Sequence, residues 1–262
     1  MSSSFVRSLG ACFRASDGAT GLAIYWRTAS IELADKKGYT LQTLLEEGLE
    51  RSGLAGEERE AARAVVCEPS TSAALYARLK CRGGGAPFCV GNVHLDAMRM
   101  KLPNIQALQV ASAANGLVSF AGSSSTPLLL CGTLGIRPSL PGYQLLKDGY
   151  LSSEMIEKLQ AAMDVQLPSG EKKALVNLMW KSFQHTAANL RSAYASALGQ
   201  EPDYTCYGSA ERGGGGCHDY IWYSGDSLQL LGCLDTVAAA TAGEHDVASS
   251  RHLPLKAKLC FL

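Results

Sequence analysis

Apolar and polar positions first fall into order at GLAIYWR (Gly21 to Arg27), a short apolar and aromatic run that predicts a buried strand. From Leu41 to Val66 the period changes. Leu41, Leu44, Leu45 and Leu49 share one face with acidic residues opposite, which predicts helix, broken near Gly53 and Gly56. ALYARLKC (Ala74 to Cys81) and PFCVGNVHL (Pro87 to Leu95) are β-type runs joined by Arg82, Gly83, Gly84 and Gly85. Glycines that permit positive φ make that link a hairpin signal. An Ala-rich stretch from Ile105 to Phe120 predicts a packed helix, and PLLLCG (Pro127 to Gly132) a central strand. Two more helices are predicted at Ser153 to Val165 and Glu171 to Leu190, the second placing Leu175, Leu178, Met179 and Phe183 at helical spacing. HDYIWYS (His218 to Ser224) follows the glycine run Gly213 to Gly216, and LPLKAKLCFL from Leu253 alternates as a terminal strand should. Strands in pairs with helices between them predict an α/β fold, a two-sheet α/β sandwich flanked by helices.

Composition sets the scale. With 262 residues, 47% of them hydrophobic, the chain can close one sizeable core. Lysine plus arginine equals aspartate plus glutamate at 24 each, so no global positive field draws the protein onto nucleic acid. No apolar run approaches the roughly 20 residues of a membrane-spanning helix. The nine cysteines form no CxxC pair and predict mostly buried thiols in a reducing compartment. MSSSFVRSLGACFRAS carries Arg7 and Arg14, several serines and no acidic residue, with Phe5, Val6, Leu9 and Phe13 interleaved, which is the composition of an organellar targeting segment. The expected division is an N-terminal arm at 1–16 and one domain at 17–262, in the mitochondrion.

Isolated chemical candidates are weak. Gly213 to Gly216 lacks the GK[ST] or GxGxxG context of a phosphate loop and reads as a hairpin loop. Cys206, Cys217 and His218 could supply zinc ligands, but no second close pair accompanies them. Trp26, Trp180 and Trp222 are expected in core or interface rather than as a nucleobase platform.

Four blocks in order are more informative: DGATGLAIYWRTASIEL (Asp17 to Leu33), VGNVHLDA with the later Gln109, LLLCGTLGIRPSLPGYQLLKDGYL (Leu128 to Leu151), and YTCYGSAERGGGGCHDYIWYS with SSRHLPLKAKL. They resemble the endonuclease/exonuclease/phosphatase superfamily, within it the 2′-phosphodiesterase and deadenylase branch, including its Asn-Thr-His-Leu, Cys-Gly-Asp-Phe-Asn, Asp-Tyr-Ile and Ser-Asp-His motifs. The resemblance covers nearly the whole chain and implies that family's fold, incomplete on the N-terminal side.

The family's reaction, as the resemblance implies, is Mg²⁺-dependent phosphodiester hydrolysis, and several of its groups are replaced here. The segment before Asp17 contains neither the Asn nor the Glu of the family's first strands. Gly132-Thr133-Leu134-Gly135 stands at the Gly-Asp-Phe-Asn position, so Thr133 replaces an Asp and Gly135 an Asn. Ser250-Arg251-His252 stands at Ser-Asp-His, so Arg251 puts a permanent cation where a carboxylate belongs. His94, Asp219 and His252 survive, and the family pairs the Asp and His matching Asp219 and His252. Mg²⁺ is anchored by carboxylates, so these replacements lead to the expectation of a pseudoenzyme, with no metal, no cofactor and no small-molecule substrate. They suggest a non-catalytic structural subunit of a mitochondrial assembly, of respiratory-chain or mitoribosome type, with other protein subunits as partners. An RNA- or nucleotide-binding module without hydrolysis is the alternative, and a working phosphodiesterase the third reading.

Overall fold

The computed structural model of the chain describes residues 9–15, 21–67, 72–95, 102–206, 215–235, 250 and 252–262. Its centre is a mixed six-stranded sheet in the order β3-β4-β5-β6-β10-β9, formed by β3 (Ile31–Thr40), β4 (Ala73–Cys81), β5 (Phe88–His94), β6 (Leu128–Thr133), β9 (Leu190–Ser192) and β10 (Asp219–Ser224). Only β5 and β6 run parallel. The crossover between them is the nineteen-residue helix α3 (Pro103–Ala121), whose residues are buried almost all round, as befits a helix laid across a sheet with further helices above it.

Two hairpins cover the opposite face of the sheet: β1 (Leu9–Ala15) with β2 (Gly21–Arg27), and β11 (Leu228–Cys233) with β12 (Ala257–Phe261). Period-two alternation in β4 sorts its residues between the layers. Ala73, Leu75, Ala77 and Leu79 pack with Cys12, Leu22, Ile24 and Trp26 of the first hairpin, while Ala74 and Tyr76 enter the main core with Leu44, Ile105 and Leu117. The predicted two-sheet sandwich flanked by helices is what forms, its second layer built of hairpins.

Local chemistry explains the boundaries. Thr40 caps α1 (Leu41–Ser52), accepting from the Thr43 N–H, and Gly53 ends it in the left-handed region at φ 77°. A second helix, α2 (Gly56–Val66), follows at once. The link from β4 to β5 turns through Gly84 and Gly85 at φ 98° and 115°, as the glycine run predicted. Smaller elements complete the chain: α4 (Pro141–Asp148), α5 (Ser153–Ala162), β7 (Asp164–Gln166), β8 (Lys172–Ala174), α6 (Leu175–Leu178) and α7 (Ala193–Leu198).

The long helix predicted from Glu171 to Leu190 is not formed. Lys172–Ala174 pairs with β7, one helical turn follows at Leu175–Leu178, and a 3₁₀ turn at Trp180–Ser182. Tertiary hydrogen bonds take this backbone out of helical register: the Ser182 hydroxyl donates to the Gly48 carbonyl, Asn115 donates to the Gln184 carbonyl, and the His185 N–H donates to the Gly149 carbonyl. The predicted Ser153 helix stops at Ala162, three residues short, where β7 begins. Within the expected N-terminal arm, Leu9–Ala15 is a strand with Cys12 buried under it; residues 1–8 and 16–20 lie outside the described residues. Trp26 and Trp222 are core, whereas Trp180 is 61% exposed.

Candidate functional site

Register brings three surviving and substituted family positions onto one line. His94 ends β5 opposite Thr133 at the end of β6, and Thr133 lies opposite Asp219 at the start of β10. Residues in register share a face, here the one covered by the hairpins, since Val90 and Leu129, two steps of the alternation back, pack with them.

Asp219 is the hub. Its Oδ1 accepts from the Thr133 hydroxyl at 2.5 Å, and its Oδ2 accepts from the Thr205 hydroxyl at 2.9 Å and from His252 Nδ1 at 2.9 Å. The Thr205 oxygen, itself buried, accepts from the His218 and Asp219 N–H groups at 2.9 Å each, which fixes the start of β10 against it. The Asp219 side chain is 13% exposed and that of His252 42%, so a shielded carboxylate holds a solvent-facing imidazole. Because Nδ1–H is committed to Asp219, Nε2 is the atom left to accept or deliver a proton. Nε2 lies 3.7 Å from Cys206 Sγ. His252 is carried by a β-bridge to Cys206, backed by the Leu253 N–H donating to the Thr205 carbonyl at 2.8 Å.

The segment after Thr133 turns away. The Leu134 and Gly135 N–H groups donate to the His218 carbonyl at 2.9 and 3.2 Å, and Gln106 Nε2 donates to the Gly135 carbonyl at 2.6 Å. Gly135 has φ 64°, in the left-handed region that Asn tolerates best among the non-glycine residues. His94 makes no hydrogen bond to this network among the described residues, and Arg251 lies outside them. Burial, then the Arg137 cation, pushes the neighbouring His218 imidazole down, and burial pushes the Cys217 thiol up to about 12.

The Mg²⁺ that the family resemblance implies does not fit these donors. Magnesium takes hard oxygens in octahedral array, commonly with one or two carboxylates. Among the described residues the site offers one carboxylate, already engaged by Thr133, Thr205 and His252, and no group of three or more His, Cys, Asp or Glu that could hold a metal. The same holds for the Cys206, Cys217 and His218 set considered for zinc.

Nothing in the sequence signals that Thr205 and Cys206 meet the Asp219–His252 pair. Thr205 lies fourteen residues from its partner Asp219, where no helical or strand spacing signals a contact.

Against known proteins, Drosophila melanogaster Nocturnin is 31% identical over 189 residues, 70% of this chain and 26% of that protein. Human Nocturnin is 26% identical over 198 residues, 72% of this chain and 37% of that one. An Aspergillus clavatus CCR4-Not complex 3′-5′-exoribonuclease subunit Ccr4 is 32% identical over 120 residues, 46% of this chain and 15% of the relative. The chain belongs to the endonuclease/exonuclease/phosphatase superfamily, on its deadenylase-like branch. The solved structures agree in fold: the 2′,3′-cyclic phosphatase ANGEL2 superposes with TM-score 0.69 at 20% identity over 97% of this chain and 75% of that one. The human Nocturnin catalytic domain superposes with TM-score 0.63 at 19% identity over 98% and 74%. No family model matches the chain. It spans about a quarter to two fifths of the length of the two Nocturnins it matches.

These relatives correct the expectation of a pseudoenzyme serving as a non-catalytic structural subunit of a mitochondrial complex, because superfamily members at this distance are named as an exoribonuclease subunit and a phosphatase. Replacement of the Asp and the Asn does not remove the whole site. The fold still assembles an oriented imidazole on a shielded carboxylate, and Thr133 serves that carboxylate directly.

Proposed function

We propose that this chain forms the imidazole–carboxylate end of a phosphoesterase site that hydrolyses phosphate esters of nucleotides or of RNA 3′ ends. The observation that carries it is the Asp219–His252 pair, 2.9 Å between Oδ2 and Nδ1, on a His252 side chain that is 42% exposed. The names of superfamily members support the substrate class, one being a 3′-5′-exoribonuclease subunit and another a 2′,3′-cyclic phosphatase.

His252 is the catalytic residue. Nε2 takes a proton from the attacking water or gives one to the departing ester oxygen, and positioned proton transfer of this kind contributes roughly 10²–10⁴-fold in rate. Asp219 is a positioning residue that fixes the tautomer and balances the imidazolium as it forms. Thr133 and Thr205 hold the carboxylate, so its rotation is set from two sides. With lysine plus arginine equal to aspartate plus glutamate at 24 each, substrate capture rests on local groups rather than on a global field.

The test offers the purified chain adenosine 2′,3′-cyclic phosphate and a short oligoadenylate, each with added magnesium and with chelator, and reads product by chromatography. Hydrolysis that falls at least about a hundredfold in His252→Ala, and in Asp219→Asn through kcat rather than KM, is the expected result. No product from either ester, or variants that hydrolyse as fast as the parent, overturns the reading.

A further inference from the structure

The third member of the His252 cluster is a thiol. Cys206 Sγ lies 3.7 Å from His252 Nε2, while Nδ1 of the same ring pairs with Asp219 at 2.9 Å. Thiol, imidazole and carboxylate therefore form one chain of contacts through the two ring nitrogens, the arrangement in which an imidazole takes the proton of a sulfur nucleophile. The ring cannot turn away without giving up Asp219, and backbone pairing of Cys206 with both His252 and Gly216 sets the sulfur beside it.

The other cysteines lack this setting. Cys12, Cys67, Cys89 and Cys217 are buried, and burial pushes the Cys131 thiol, like that of Cys217, up to about 12. The Cys233 thiol donates to the Ala193 carbonyl, the Cys260 thiol donates to Gln229, and Cys81, half-exposed at the end of β4 opposite Ile31, packs against the apolar cluster of the first hairpin. Cys206 is half-exposed, and its strand partner Gly216 is flanked by the Arg137 guanidinium and the His218 ring, both within about 4 Å of where a side chain on Gly216 would begin.

We propose that Cys206 is the reactive thiol of this chain, a modification site for hydroperoxides whose oxidation closes the His252 site; this rests on the phosphoesterase reading above. His252 Nε2 takes the thiol proton, and the thiolate sulfur attacks the terminal oxygen of the hydroperoxide. The S–O bond forms as the O–O bond breaks, sulfur gives up two electrons, and the departing alkoxide or hydroxide leaves with the proton from His252. The product is a sulfenic acid, whose oxygen occupies the space in front of Nε2 that a substrate ester or water needs. Thiol reduction reopens it.

The experiment treats the full chain with hydrogen peroxide, captures sulfenic acid with dimedone, and maps the label by mass spectrometry in the parent, His252→Ala, His252→Gln and, as a blank, Cys206→Ser. The expected result is that Cys206 labels before any other cysteine, that its rate falls about threefold or more in both His252 variants, and that hydrolysis by the parent declines in step with labelling. Thermal unfolding of His252→Gln near the parent's midpoint excludes misfolding as the cause. Labelling of Cys206 at an undiminished rate without the imidazole, faster labelling elsewhere, or labelled chain that hydrolyses as before overturns the inference. Fast labelling in a chain that hydrolyses nothing leaves the thiol chemistry standing and removes the phosphoesterase reading instead.

Discussion

Thr133 and Asp219, neighbours across β6 and β10, are joined by a 2.5 Å hydrogen bond from the threonine hydroxyl to Oδ1. At the position where the family places a carboxylate, this chain has a donor to the carboxylate next door. A second anion there would repel Asp219; the hydroxyl instead donates to its Oδ1 and helps hold the carboxylate toward His252.

That relationship sets a stability difference. A hydrogen bond to a shielded charge contributes about 1.5–3 kcal/mol, and the Asp219 side chain is only 13% exposed. Thr133→Val, close in shape but without the donor, is expected to lose about 1–2 kcal/mol in urea denaturation, while Thr133→Ser loses little. A valine variant as stable as the parent would show that the contact contributes nothing.

Next to it, Gly132 has φ 125°, and a Cβ added there would stand 2.0 Å from the Val93 carbonyl oxygen on β5. Neither the backbone conformation nor the parallel ladder leaves room. Gly132→Ala is expected to cost on the order of 3 kcal/mol or more, read as loss of a cooperative unfolding transition or a large fall in its midpoint. A near-parental midpoint contradicts the close approach of β5 and β6.

Much of this frame is legible in the sequence, and the reasons for the failures are physical. The β4–β5 hairpin, the Ala-rich crossover helix and β6 follow from periodicity and glycine placement because local propensity and burial agree there. The Glu171 segment fails because its apolar residues keep helical spacing while the Ser182 hydroxyl, the Gln184 carbonyl and the His185 N–H are engaged by Gly48, Asn115 and Gly149, contacts set by the tertiary fold. Strand β3 (IELADKKGYT) shows no apolar run because it is an edge strand with half-exposed and exposed residues along its length. The Asp219–His252 pair came from family motifs. Thr205 and Cys206 could not be found from spacing, since the loop and bridge geometry alone bring them to the pair.

His185 predicts a pH dependence. Its Nδ1 accepts from the Ala187 N–H at 3.2 Å and its Nε2 is 3.1 Å from the Leu146 carbonyl oxygen, so the neutral ring with the proton on Nε2 satisfies both partners. Burial lowers its affinity for a proton in the folded chain. The unfolded chain thus binds the proton more readily, and stability is full above the ordinary histidine value of about 6.5 and falls as pH drops below it. Thermal midpoints from pH 7.5 to 5 should decline, with a smaller decline in His185→Gln. An identical slope in parent and variant would assign the acid sensitivity to other groups.

The central claim is that His252, oriented by Asp219, is the chemical centre of a phosphoesterase, and the most direct measurement is the rate of adenosine 2′,3′-cyclic phosphate hydrolysis by the parent and His252→Ala under identical conditions. The account predicts turnover by the parent and a fall of about 10²–10⁴-fold on removing the imidazole. Turnover that survives His252→Ala unchanged, or none in the parent with any nucleotide ester, contradicts it.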